Sequence, residues 1–209
     1  MLTNKTPIVV SAPSGGGKST IINALLSDYE ELTFSISTTT RAPRGDEQNG
    51  VEYYFSSKDD FLDKIDEKCF FEWAEVHGNY YGTEKKEIDR IWAQGKIPIF
   101  DVDVQGAEQL KRELPDALYI FIIPPSLKVL HKRLTDRKTD SEETIQLRIK
   151  NARFEMSKYA IFDFIIINDV LEEAIIKTKA VIEAGACRTV RLKDHMELLL
   201  EDNNDNTLR

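Results

Sequence analysis

Long apolar runs are absent from this chain. Its apolar stretches, such as residues 8–10, 97–100, 119–123 and 164–167, are far shorter than the roughly 20 residues a membrane-spanning helix requires. Cysteine is scarce. Cys69 and Cys187 are the only two, they could form at most one bridge, and neither sits in a CxxC or metal-binding spacing, so reduced thiols in a cytoplasmic protein are expected. Residues 1–7 contain no basic segment leading into an apolar stretch, so no secretion signal is expected. Positive charge is also short: 28 Lys and Arg against 36 Asp and Glu give a net charge of -8. General affinity for nucleic acid or for an anionic membrane is therefore not expected, although a local basic pocket for a small phosphorylated molecule remains open. The three histidines, His77, His131 and His195, show no catalytic spacing and read as surface or packing residues. There is no internal repeat.

What is present is enough for one core. A length of 209 residues with 41% hydrophobic content suits a single domain and small inserts, but not two ordinary domains. Strand patterns fall at residues 8–11, 34–37, 70–76, 97–102, 118–123 and 164–168, several of them continuous apolar runs of the kind buried on both faces of a parallel sheet. Helical patterns lie between most of them. Ser57 predicts a cap for a helix through Lys68, Thr83 opens one that Gly95 closes, and Ser126 caps one through Arg137. Further helices are expected over about residues 141–158 and 171–184. The alternation implies an α/β fold with a mostly parallel sheet flanked by helices. Two stretches break the rhythm: residues 38–83 read as an inserted substrate-binding unit, and residues 133–154, highly charged, as a mobile lid. The core is then about residues 1–37, 84–132 and 155–190, with a polar, disordered tail at about residues 201–209.

The clearest motif is Ala12, Pro13, Ser14, Gly15, Gly16, Gly17, Lys18 and Ser19, continued by Thr20. It matches GxxxxGK[ST] apart from alanine at the first glycine, and it follows an apolar strand and opens an amphipathic helix. Glycines let successive N–H groups converge on one phosphate, the helix adds its positive end, Lys18 reaches the terminal phosphates and Ser19 can hold Mg²⁺. Alanine at position 12 weakens the match only if that position needs positive φ. The apolar strand ending in Asp101 resembles the second element of such a site, a carboxylate on the metal side acting partly through water. A plain helix cap is the competing reading of Asp101, less favoured because Asp103 stands nearer the next helix.

A phosphate loop does not reveal the acceptor. Arg41 and Arg44 flank a proline-stiffened turn, and Tyr53 follows. Two planar guanidinium forks and a phenol suit a phosphate monoester, whereas isolated arginines usually form a solvated loop.

Together with Ser37-Thr-Thr-Thr-Arg41-Ala-Pro-Arg44, Asn49-Gly through Tyr53, Phe71-Glu72-Trp73-Ala74, Gly78-Asn-Tyr-Tyr81-Gly82-Thr83 and Asp101-Val-Asp103-Val-Gln-Gly106, the phosphate loop makes the chain resemble the guanylate kinase family over about residues 8–184. The resemblance implies a core with a GMP-binding insert and a lid, ATP and GMP as substrates, dGMP as a further acceptor, and Mg²⁺ as cofactor. It assigns Arg41, Arg44, Tyr53 and Tyr81 to the GMP phosphate, and Ser37, Glu72, Gly82, Thr83, Asp101 and Asp103 to the rest of the GMP site. Guanine chemistry agrees, because N1–H and the exocyclic amine are adjacent donors that one ionised carboxylate can accept, while adenine puts an acceptor at N1. An outward-facing strand glutamate is the bland reading of Glu72. The resemblance also makes Arg133, Arg137 and Arg148 lid arginines over the transferring phosphoryl group, with Lys18, Arg41, Arg137 and Arg148 catalytic. Asn168 resembles an adenine-side residue, though a turn or cap explains it equally. Two rivals stand beside this expectation, an inactive phosphopeptide-binding module of the same fold and a kinase for another phosphorylated acceptor.

Overall fold

The structure is a computed structural model and describes residues 6–76, 78–136 and 141–202. Among these residues the central sheet has strands β1 (Ile8–Ser11), β2 (Leu32–Phe34), β7 (Ile97–Asp101), β8 (Leu118–Ile123) and β9 (Phe164–Ile167). Their order is β2-β7-β1-β8-β9, and every neighbouring pair is parallel. Side chains alternate between the two faces. Ile8 and Val10 pack with Ile21, Ile22 and Leu25 of α1 (Lys18–Asp28) and with Ile182 of α7 (Leu171–Ala186). Val9, Phe100 and Phe121 point the other way, onto Ile88 of α3 (Lys85–Ala93) and Ala107 and Leu110 of α4 (Val104–Glu113). Both faces are covered over β1, β7 and β8, which is why these three strands read as continuous apolar runs. Each fully buried aliphatic side chain contributes about 1.5–3 kcal/mol relative to its exposed state.

A second sheet carries β3 (Thr38–Thr39), β4 (Tyr54–Phe55), β5 (Phe70–Val76) and β6 (Asn79–Glu84) in the order β4-β3-β6-β5. Only its β3–β4 pair is parallel. Between β4 and β5 lies α2 (Lys58–Asp66), capped by Ser57, whose hydroxyl accepts from Asp60 N–H at 3.0 Å. Beyond the sheets, α5 (Leu127–Asp136) and α6 (Glu142–Ser157) share a small core of Leu130, Leu134, Ile145 and Ala152. Ser126 and Ser141 cap these two helices through the amides of Val129 and Thr144.

Several boundaries differ from the sequence expectations. The strand expected at residues 34–37 lies at β2, because Leu32, Thr33 and Phe34 find partners in Ile97, Pro98 and Ile99 while the chain beyond Ser35 leaves for the second sheet. α2 stops before Lys68, which has φ 56° and so cannot continue a helix. The helix expected from Thr83 starts at Lys85, since Thr83 is held in β6 opposite Glu72. β9, despite its apolar run, is an edge strand on which Ile165 and Ile167 are exposed. A terminal helix, α8 (Thr189–Asp202), takes in Glu201 and Asp202 of the expected tail. Residues 203–209 lie outside the described residues, as do Arg137 and His77.

Candidate active site

The loop of residues 12–17 joins β1 to α1. Gly15 and Gly17 adopt left-handed backbone at φ 89° and 92°, a conformation that disfavours any side chain. A Cβ on Gly17 would also stand 2.2 Å from Asn168 Nδ2. Ala12 does not have positive φ, so alanine costs the loop nothing conformationally. Gly16 N–H closes the turn on Pro13 O at 2.8 Å. From the end of β9, buried Asn168 donates Nδ2 to Gly16 O at 2.8 Å, and Arg133 of α5 donates to the Asn168 carbonyl at 2.8 Å. The Asn168 side chain thus braces the loop.

Lys18 donates to Val102 O at 2.8 Å and forms an ion pair with Asp101, the last residue of β7. Parallel pairing sets this contact by placing Asp101 beside Val10. Residues 12–20, Asp103 and Glu155 line a cavity of about 340 Å³. Ser19 and Thr20 are exposed there, in the first turn of α1. Two side chains of α6 reach Ser14. Arg148 donates to its hydroxyl at 3.2 Å, and the Glu155 carboxylate accepts from its N–H. Burial, reinforced by Asp103, pushes the Glu155 carboxyl up against the pull of Lys18. Its Oε2 is buried without a hydrogen-bond partner.

The second sheet holds the other cluster. Glu72 of β5 faces Thr83 of β6, whose hydroxyl donates to Glu72 Oε1 at 2.7 Å. Only 7% exposed, the Glu72 carboxyl is pushed up to about 7 by burial, against the hydrogen bonds of Thr83, and Asp103 adds to the rise. Asp103 caps α4, accepting from Gly106 N–H at 2.8 Å. Gly82 lies in register with Thr38 on one side and Trp73 on the other.

Buried Arg41 donates to Glu47 at 2.9 Å and to Ala42 O at 2.7 Å, with its guanidinium carbon 5.3 Å from the centre of the Tyr53 ring. Tyr53 meets Tyr81 edge-on at 6.0 Å, and Tyr81 also hydrogen-bonds Arg41. Glu47 accepts from Arg44 N–H at 2.8 Å, while the Arg44 residue is exposed. The Arg41 guanidinium holds the Glu47 carboxyl below the usual range. Ser37, Glu47, Tyr53 and Asp101 line a cavity of about 390 Å³. Asp101 therefore touches this cavity and, through Lys18, the phosphate loop.

Two carboxylates at these cavities, Glu47 and Glu155, were not singled out from the sequence. Each left a weak trace. Glu47 follows Arg44 by three residues in a Gly- and Asn-rich turn, and Glu155 follows Arg148 by seven on one helix, a spacing that returns to the same face.

Known proteins carry the same elements. A family model described as guanylate kinase matches residues 4–185. The chain is 45% identical over 186 residues to a guanylate kinase of Myxococcus xanthus, covering 88% of this chain and 89% of that one. It is 48% identical over 187 residues to one of Shewanella violacea, covering 89% and 88%. A crystal structure of guanylate kinase from Anaplasma phagocytophilum aligns with a TM-score of 0.69 at 30% identity, over 91% of this chain and 92% of that one. With its phosphate loop, its buried Glu72–Thr83 pair and these relatives, the chain belongs to the guanylate kinase family.

Proposed function

We infer that this protein transfers the γ-phosphoryl group of ATP to GMP, giving ADP and GDP, within purine nucleotide metabolism. The observation that carries this reading is the buried Glu72 held by Thr83, on a sheet whose strand β6 also presents Tyr81 to Tyr53 and Arg41. An ionised carboxylate there accepts from guanine N1–H and the exocyclic amine, and the arginine with its phenols takes the monophosphate. In this reading residues 12–20 hold the ATP phosphates, with Lys18 on the terminal ones. Residues 38–83 form the acceptor insert, where Ser37, Arg44, Gly82, Asp101 and Asp103 complete the GMP pocket. α5 and α6 carry the lid, with Arg133 and Arg148 over the phosphates; Arg137 would join them, although it lies outside the described residues.

The residues fit a magnesium ion. Ser19 and Asp101 offer oxygen donors, and Mg²⁺ is held by one or two carboxylates plus substrate phosphates and several waters. When bound, it would neutralise charge on the ATP phosphates. The acceptor phosphate is ionised at neutral pH, so no general base is needed, and fixed cations at the γ-phosphate supply the stabilisation. Lys18 must exchange Asp101 for phosphate, and the acceptor phosphate must replace Glu47 on Arg41. We place the enzyme in the cytoplasm on the strength of its free cysteines; among the described residues no helix is long and apolar enough to cross a membrane.

A coupled assay of ADP formation with GMP, dGMP, AMP, UMP and CMP tests the reading. GMP and dGMP should be used and the other three should not. Equal use of another nucleotide would move the substrate assignment, and no ADP with any of them would leave an inactive binding module.

A further inference from the structure

The second sheet is joined to the core by two chain crossings, outward between β2 and β3 and back between β6 and α3. Phe71 of β5, packed against the core cluster of Ile88, Phe100 and Ala107, closes one side of this joint. A cavity of about 540 Å³ opens beside it, lined by Thr38, Tyr54, Lys64, Glu84, Glu87 and Arg90 among others. Polar bonds span the joint as well: Gln109 of α4 holds the Trp73 N–H and carbonyl of β5, and a second set meets on one side chain. Glu87, in the first turn of α3 and only 1% exposed, accepts from Ile36 N–H at 3.0 Å on the outward crossing. It accepts from the Tyr54 hydroxyl at 3.1 Å on β4. Arg90 balances the charge through two bonds of 2.8 and 2.7 Å. The two residues reached by Glu87 adjoin Ser37 and Tyr53 in the chain, and Tyr54 N–H itself donates to Ser37 O at 2.9 Å.

We propose that Glu87 is a positioning residue for the acceptor: one buried carboxylate ties the returning helix, the outward crossing and strand β4 together and so sets the angle at which the acceptor sheet meets the phosphate loop. The proposal rests on the GMP kinase reading. Glu87 lies too deep to touch either substrate, and it acts through Ile36 and Tyr54. A buried, fully satisfied carboxylate imposes strong geometry, because each donor it loses leaves a charge underpaired. Glu84, also buried, accepts from Thr38 and Lys64 and pairs with Lys86 of α3, two residues along its own chain, at 2.7 Å. Glu87 is the side chain that reaches both the outward crossing and β4.

Tyr54→Phe removes the one bond to β4 and leaves the carboxylate with Arg90 and Ile36, so the fold should survive. Glu87→Gln keeps the shape and removes the charge. KM for GMP should rise about threefold in Tyr54→Phe and about tenfold in Glu87→Gln, with KM for ATP within about twofold. Nitroxide labels on α2 and α7, in a background with Cys69 and Cys187 replaced by serine, should report a broader distance distribution in both variants. Lowered melting temperatures with an unchanged ratio of the two KM values and unbroadened distances would overturn the proposal, leaving Glu87 a stability residue. Equal rises in both KM values would overturn it too. Failure of the unmodified protein to phosphorylate GMP would sink the GMP reading alone, and the distance widths would still decide the joint.

Discussion

The two halves of the candidate site are built from different material. The donor half is mainly backbone: a loop with two left-handed glycines, closed by Gly16 and braced by Asn168. The acceptor half is mainly side chain: buried Arg41 and Glu72, each already satisfied by a neighbour, Glu47 in one case and Thr83 in the other. Backbone N–H groups around a phosphate are set by chain geometry and recognise any polyphosphate. Side-chain groups read the identity of a base, but they carry internal partners that a ligand must displace or share. The donor half should therefore fail abruptly when Lys18 is lost, and the acceptor half should fail by degrees and in a pH-dependent way.

Lys18→Ala should show the largest effect, a loss of turnover on the order of a thousandfold, with a melting temperature close to that of the unmodified protein because Lys18 is only partly buried. Near-normal GDP formation in this variant would break the contrast at its donor end. Glu72→Gln comes next, with kcat/KM for GMP falling about tenfold to a hundredfold, since one acceptor of a buried charge-assisted pair is replaced by a donor. Activity with AMP should change little. An unchanged GMP to AMP ratio would remove Glu72 from base recognition.

The same residue sharpens the comparison through pH. Burial raises its carboxyl from 4.5 to about 7, so the folded protein keeps a proton that the unfolded chain releases in that window. Stability attributable to Glu72 is accordingly present below pH 4.5, declines as pH rises toward about 7, and is level above it. If Glu72 reads guanine as proposed, GMP requires the ionised form, so KM for GMP should rise as pH falls below 7 while KM for ATP moves less; parallel profiles for the two substrates would refute this. Asn168→Ala should give the smallest effect. Losing its bond to Gly16 O should raise KM for ATP about three- to tenfold and leave KM for GMP unchanged, and the opposite pattern would mean that the brace serves the acceptor side.

Much of the donor half was legible because it is local. The motif lies within nine consecutive residues, and the flanking strand and helix patterns supply its context. The question raised by Ala12 was settled by φ angles: the left-handed positions are Gly15 and Gly17. The acceptor residues could be named from the family resemblance, with which guanine's adjacent donors agree, but their internal partners could not. Nothing in the spacing of Glu47 or Glu155 fixes which cation or amide each meets. The terminal helix α8 escaped notice for a related reason: its apolar residues, among them Leu192, Met196 and Leu199, are exposed, so burial leaves no clean face to read.

By itself the sequence determined the α/β alternation and the phosphate-loop motif, because each depends on residue type and short-range spacing. Tertiary structure alone decided that β7 lies beside β1, which brings Asp101 to Lys18 across 83 residues of chain. It likewise decided that Asn168 supports the loop from 152 residues away, and that Glu87 joins Ile36 to Tyr54. The physical reason is the same in each case. A buried polar group must find its partner wherever the topology brings one within hydrogen-bond reach, and sequence separation sets no preference among the candidates.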